Sequence, residues 1–337
     1  MVVTFGEIMM RLQPPGYQRL SQTKSYDAVF GGGEANVAVS LANFGIDAKF
    51  VTKLPDNPIG AACKGELARW GVDTSDIVLG GGRMGLYFCE KGASQRASVV
   101  VYDRAGSAVA MAKPAEFDWE KIFSGASRFH FTGITPALSD DMAAAVTEAC
   151  IAAKGMGVKI SCDLNYRKKL WSRQKAKEVM TKYMPYIELL ISNEEDAHDV
   201  FGITAQKTDI TKGEIDIEGY KSVAEQLADF GIPKVAITLR ESISASRNNW
   251  SALLLADGEF FVSKKYAIDL VDRVGGGDSF GAGLIYGILS GMTSAESLEF
   301  AVGASTLKHT IEGDFNIVDS SEVHKLVSGD GSGRVQR

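Results

Sequence analysis

The sequence predicts an α/β protein: a three-layer α/β/α sandwich around a mostly parallel central sheet, with a small separate β-sheet. Two observations carry this. Strand-like apolar runs alternate with helical segments along most of the chain, and such alternation buries a parallel sheet between two layers of crossover helices. The rhythm breaks at 85–104, where "GLYFCEK" and "RASVVVYDR" lie too close to enclose a helix and read as an antiparallel pair.

In chain order, "VVTFGE" is a short buried strand. Glycines 31–33 follow a polar, Pro-containing stretch, and "EANVAVSLANFG" reads as a helix closed by Gly45. "AKFVTKL" is a strand and "GAACKGELARWG" a helix. The pair at 85–104, with part of 10–30, predicts a small discontinuous sheet, over about 10–30 and 84–110, projecting from the main domain. "RFHFTG" precedes a helix over about 139–154, and "VKISCDL" precedes one near 172–183. "ELLISN" leads into "EEDAHDVFG", and "KVAITLR" is a later strand. Asp257-Gly258, between two apolar runs, signals a hairpin. Residues 1–327 read as one domain without an internal repeat, and "SGDGSGRVQR" at 328–337 as a flexible tail.

With 337 residues, 45% hydrophobic and 23% charged, the chain can bury a large core and has the composition of a soluble globular protein. A net charge of −6 argues against a nucleic-acid partner bound by broad phosphate neutralisation. It leaves room for an anionic small molecule held by a few local donors. Cys63, Cys89, Cys150 and Cys162 are scattered singly, as reduced cytosolic thiols are, and the four histidines have no metal-ligand spacing. The N-terminus lacks signal-peptide character, and no apolar run approaches the roughly 20 residues of a membrane span. The expectation is a cytoplasmic protein with no membrane partner.

The most informative stretch is "DLVDRVGGGDSFGAG", 269–283. Gly275, Gly276 and Gly277 precede a helix expected to start near Asp278. A helix N-terminus offers unsatisfied N–H groups, and glycines let a phosphate approach the backbone closely. The plainer alternative is a tight turn with Asp278 as the helix cap. A carboxylate is a poor neighbour for phosphate unless each faces a different partner. The glycine N–H groups would hold a transferring phosphate while Asp278 takes the proton of the attacking hydroxyl. No Walker G-x-x-x-x-G-K-[ST] occurs, and "GGGEAN" at 31–36 is not the dinucleotide G-x-G-x-x-G.

"DRVGGGDSFGAG" resembles the C-terminal signature of the ribokinase-like (PfkB) carbohydrate kinases. "GGGEANVAVSLANFG" resembles their N-terminal signature, with Gly32, Gly33, Asn36 and Gly45 in place. The resemblance spans essentially the whole chain. It implies a ribokinase-like sandwich with a β lid, Asp278 as general base and Gly275–Gly277 as anion hole. ATP and Mg2+ are the implied cofactors, and the resemblance leaves a monovalent cation and a homo-oligomer formed through the lid open. Gly32, Gly33 and Asn36 are implied to bind the sugar. "ISNEED" resembles the family's N-x-x-E motif near magnesium, with Asn193 matching and Asp196 one methylene shorter than Glu, a carboxylate able to reach the metal through water. The alternative is a strand end that caps the following acidic helix turn.

"VVVYDRAGSA", "DLNYRKKLW", "HFTGITPALS" and Tyr87 in "GLYF" resemble the 2-keto-3-deoxygluconate kinases of the family. That implies contacts to the sugar acid from Tyr87, Tyr102, Arg104 and Arg167, with the two guanidiniums anchoring its carboxylate. Asn165 is implied to face the phosphates. Thr238, Leu239, Arg240 and Gly277 border the nucleotide, although Arg240 stands where the family pattern has glycine. Ala304 is implied to lie against the adenine, or else belongs to a helix of small packing residues. Glu34 is a further candidate for contact with sugar hydroxyls. The implied activity is ATP-dependent phosphorylation of the C6 hydroxyl of 2-keto-3-deoxygluconate. The alternatives are a neutral-sugar kinase of fructokinase or ribokinase type, an NAD-dependent oxidoreductase and a non-catalytic sugar-binding regulator.

Overall fold

A computed structural model describes residues 1–204 and 217–329, so most of the expected tail, 330–337, lies outside the described residues. Six parallel strands form the body of the main sheet, in the spatial order Ala48–Val51, Val2–Phe5, Arg128–Thr132, Lys159–Asp163, Ile187–Ser192 and Lys234–Ser242. Arg247–Ala256 continues it antiparallel, and Glu259–Val262 and Tyr266–Asp269 both pair with that strand. Asp257 and Gly258 take positive φ, 53° and 82°, as a two-residue hairpin turn with right-handed strand twist requires.

Successive residues of a strand point to opposite faces, and each face here is apolar. Val3, Phe131, Cys162 and Leu190 pack under the helices Asp140–Gly155, Arg173–Tyr183 and Ile217–Ala228. Val2, Phe50, Ile191 and Ala236 pack under Gly33–Asn43, Gly276–Leu289 and Ser294–Lys308 on the other side. All four cysteines are buried and free, and burial pushes the Cys63 thiol up to about 12. Among the described residues no helix is long and apolar enough to cross a membrane.

The small sheet has the order Asp27–Gly31, Met9–Gln13, Gly85–Glu90, Val99–Asp103. Residues 6–8 connect it to the first strand of the main sheet, and Gly32 connects it to the helix Gly33–Asn43. These two connections touch: a methyl at Gly32 would lie 2.0 Å from the Glu7 carbonyl oxygen. At its far end the backbone N–H of Ala245 donates to the Ser94 carbonyl at 2.7 Å, and that of Ser94 to Ser246 Oγ at 2.9 Å. The small sheet thus meets the turn between Lys234–Ser242 and Arg247–Ala256.

One expected boundary shifts. The glycine-rich helix starts at Gly276, not near Asp278, because Gly275 takes the left-handed conformation at the N-cap with φ 82°. Asp278 therefore stands inside the first turn and does not cap it.

Candidate active site

The parallel strands end at one edge, where their following residues and the small sheet enclose a cleft of about 1320 Å³. Ligands of open α/β sheets bind outside these carboxyl ends. Gly32, Gly33, Asn36, Tyr87, Tyr102, Arg104, Asn165, Arg167, Asn193, Asp196, Thr238, Arg240, Gly275, Gly277 and Asp278 all line it. Gly276, Leu239 and Ala304 do not: they are buried, Gly276 behind the cleft and Leu239 and Ala304 in the two cores.

The three glycines have different reasons to lack a side chain. At Gly275 the backbone is left-handed and a methyl would lie 2.0 Å from the Asp314 carbonyl oxygen. At Gly276 it would strike the His309 ring, 2.4 Å from Cε1. At Gly277 it would meet nothing within 4 Å. No protein contact requires glycine there, and the space it leaves opens into the cleft beside the helix N-terminus, where a backbone donor can meet an anion.

Asp278 faces Asn36, whose Nδ2 donates to Oδ2 at 2.7 Å, while the Gly32 N–H fixes the amide by donating to Asn36 Oδ1 at 3.2 Å. Burial and the nearby Asp314 push the Asp278 carboxyl up to about 6, against the Asn36 hydrogen bond and the charges of Arg167 and Lys308. The group is ionised at neutral pH and only mildly so, the condition suited to a general base.

Sequence reading left several neighbours unassigned. Glu7 holds Arg104: Nε donates to Oε2 at 2.7 Å, and Ser107 Oγ donates to Oε1 at 2.7 Å. The Arg104 guanidinium also lies 5.3 Å from the Tyr102 ring centre. Tyr87 donates to Asp314 Oδ2 at 2.5 Å, and the fully buried Arg11 bridges Asp314 and Asp272 at 2.9 and 2.7 Å. Lys308, also fully buried, donates to the Ile311 carbonyl at 3.2 Å and packs against Gly275. Glu34, buried in the cleft floor, accepts from the Thr132 N–H and from the Thr132 and Thr135 hydroxyls at 2.9, 2.8 and 2.5 Å. Its carboxyl is raised to about 7 by burial. These bonds tie the end of the strand Arg128–Thr132 and the short helix Ile134–Ala137 to the helix Gly33–Asn43.

The opposite wall is acidic. Burial and the charges of Asp196 and Asp278 raise Asp163 well above the usual carboxylate range. The Asn165 N–H donates to Asp163 Oδ1 at 3.2 Å with Asn165 in the left-handed region, φ 37°, which Asn tolerates. Asn193 caps the helix Glu194–Phe201, accepting from the Asp196 N–H at 2.8 Å while its Nδ2 donates to Asp196 Oδ2 at 2.8 Å. The capping alternative is therefore realised in the geometry, and burial raises Asp196 to about 6. Among the described residues Arg167 has no carboxylate at ion-pair distance; it donates to its neighbour's carbonyl, Tyr166, at 3.1 Å, yet its charge reaches Asp163, Asp196 and Asp278. Among the described residues no acidic, His or Cys cluster forms a ready-made metal cage. The hard oxygens of Asp163, Asn165, Asn193 and Asp196, with carboxylates repelling one another, fit Mg2+, which is usually held by one or two carboxylates, waters and substrate phosphates.

A buried carboxylate beside a glycine-rich helix start, in a cleft at the strand ends of an α/β sandwich, is an arrangement suited to phosphoryl transfer. Residues 1–318 match the profile of pfkB family carbohydrate kinases, and the chain belongs to that family. Within it, the chain is similar to the 2-dehydro-3-deoxygalactonokinase of Haloferax volcanii, 31% identical over 332 residues and 98% of each chain. It is also similar to the 2-dehydro-3-deoxygluconokinase of Bacillus subtilis, 28% identical over 97% of this chain and 94% of that one. The crystal structure of 2-dehydro-3-deoxygluconokinase from Thermotoga maritima superposes with a TM-score of 0.94 at 50% identity, covering 97% of this chain and 98% of that one.

Proposed function

We propose that the protein transfers the terminal phosphoryl group of ATP to the C6 hydroxyl of 2-keto-3-deoxygluconate (2-dehydro-3-deoxygluconate), giving the 6-phosphate and ADP. The observation that carries this reading is Asp278: a carboxyl raised to about 6, hydrogen-bonded to Asn36, one residue after a glycine whose open side faces the cleft. The names of the relatives point to sugar acids.

Asp278 accepts the proton of the attacking hydroxyl as the oxygen–phosphorus bond forms, and Asn36 orients the carboxylate. The N–H groups of the glycine turn receive the negative charge of the transferring group. Bound magnesium would neutralise phosphate charge, and Asn193, Asp196, Asp163 and Asn165 are the residues to hold it, in part through water. Arg104, fixed by Glu7, and Arg167 receive the sugar carboxylate from two sides. A neutral sugar would leave both without that partner. A monovalent cation is not required by any of these steps.

The small sheet acts as a lid over the sugar. Its outer face, with Val99 and Val101 exposed, is where a second copy would associate, and the cytoplasm is the compartment this reading implies.

The test is ADP release with ATP and Mg2+ on 2-keto-3-deoxygluconate, 2-keto-3-deoxygalactonate, fructose and ribose. The proposal expects a large preference for the keto-deoxy acids, and Asp278→Asn should lower their turnover by roughly 10²–10⁴-fold. Preference for a neutral sugar overturns the roles of Arg104 and Arg167. A near-normal Asp278→Asn rate removes the base.

A further inference from the structure

Among the described residues only Arg19, Arg167, Arg240 and Arg273 have no carboxylate within ion-pair distance, and the last three line the same cleft. Arg167 answers the acidic wall. Arg240 faces no such wall, and of the carboxylates Arg273 feels only the neighbouring Asp272. Each follows or precedes an acidic residue, and both of those are committed elsewhere. Glu241 accepts from Asn249 Nδ2 at 2.6 Å and Lys265 Nζ at 2.8 Å. Asp272 accepts from Arg11 at 2.7 Å and from the Val274 and Gly313 N–H groups at 3.1 and 3.2 Å.

The two guanidiniums lie close enough to repel each other and to act on His309, whose ring packs under Gly276. Burial and that repulsion lower the Arg273 affinity for its proton, and burial with three neighbouring cations lowers His309 to about 4, so the imidazole is neutral. Arg273 is further held by donating to the Ala245 carbonyl at 3.4 Å. Two like charges held together beside a glycine turn, with their carboxylate neighbours engaged, form a receptor for a multiply charged anion. Guanidiniums suit phosphate oxygens because their planar donors bind in pairs.

We propose that Arg240 and Arg273 form a clamp on the polyphosphate chain of the phosphoryl donor, strong enough to bind a polyphosphate that carries no base. The inference rests on the kinase reading above but not on which sugar is phosphorylated. It also gives a role to Arg240, which stands where the family pattern has glycine.

The experiment measures binding of ATP, inorganic tripolyphosphate and adenosine by calorimetry, without sugar, for the wild type and for an Arg240→Gln/Arg273→Gln variant. Tripolyphosphate should bind the wild type in competition with ATP, and the variant should lose it. ATP affinity should fall about 10–10⁴-fold, the range for one or two lost charge-assisted hydrogen bonds, with a shallower salt dependence. Adenosine affinity and the KM for the sugar acid should stay the same. An Arg240→Lys/Arg273→Lys variant, which keeps the charge, should recover part of the loss. Unchanged ATP and tripolyphosphate affinity in the Gln variant overturns the clamp, as does an equal loss for adenosine. Equal melting temperatures show that the variant is folded. Clamp-dependent ATP binding without sugar-acid turnover would refute the substrate and leave the clamp standing.

Discussion

Replacing Asn36 by Ala tests the base through its own hydrogen bond. Asn36 Nδ2 donates to Asp278 Oδ2 at 2.7 Å and stabilises the ionised carboxylate. A hydrogen bond to a charged group contributes about 1.5–3 kcal/mol, and about 1.4 kcal/mol corresponds to one pH unit, so its loss raises the carboxyl by about 1–2 units. The wild-type group titrates at about 6. A general base works deprotonated, so kcat/KM falls as pH drops through this value, and in Asn36→Ala the fall should begin near pH 7–8 by the same reckoning. The assay is coupled ADP release between pH 5 and 9 at subsaturating sugar acid. At high pH the carboxyl is ionised in both proteins, and the remaining difference reads what Asn36 contributes to holding sugar hydroxyls. An acid limb that stays near pH 6 in the variant would refute the assignment of that limb to Asp278.

Two further predictions separate structure from chemistry. Gly277→Ala should leave the melting temperature unchanged, since its methyl meets nothing within 4 Å, yet lower kcat/KM by roughly 10²-fold by displacing the bound phosphate. Gly275→Ala should destabilise the fold itself, through its φ of 82° and the Asp314 carbonyl oxygen 2.0 Å away; thermal melts and rates on the two variants check both. Glu34, raised to about 7 from 4.5, contributes stability that is full below pH 4.5 and lost as pH rises through 7, about 3 kcal/mol in all. Glu34→Gln should remove that slope from denaturation curves at pH 5 and 8, and an unchanged slope would assign it to other groups.

The strand–helix alternation was legible because a sheet covered on both faces demands apolar runs at short intervals, and Phe129, Ile160 and Leu189 show them. The strand Tyr266–Asp269 was not, since its pairing with Arg247–Ala256 depends on a register that only the folded hairpin sets. The glycine turn could be read because backbone geometry and close approach restrict the residue type locally. Glu7 could not: it lies 97 positions from Arg104, and nothing near Glu7 in the chain announces an ion pair. The same holds for Asp272 and Asp314 around Arg11. For Ala304, fully buried, the packing alternative has a physical reason. The small residues of the helix Ser294–Lys308 serve helix packing, with a methyl at Gly283 only 2.6 Å from the Ala301 Cα and one at Gly287 2.6 Å from Ser297 Oγ.

The contact between Glu7 and Gly32 has a consequence for how substrate preference can change. These two connections run side by side into the small sheet, and Glu7 and Gly32 both face the cleft. In the proposed kinase, the placement of the small sheet and the room for the sugar are therefore set by the same atoms and cannot be adjusted separately at either point. A bulkier residue at position 32 would displace the small sheet and crowd the sugar in a single step. Room for change lies farther out, on the strand Val99–Asp103, where a side chain can be exchanged without moving either connection. Variants selected for a new sugar should collect their first substitutions there and keep the two connections as they are.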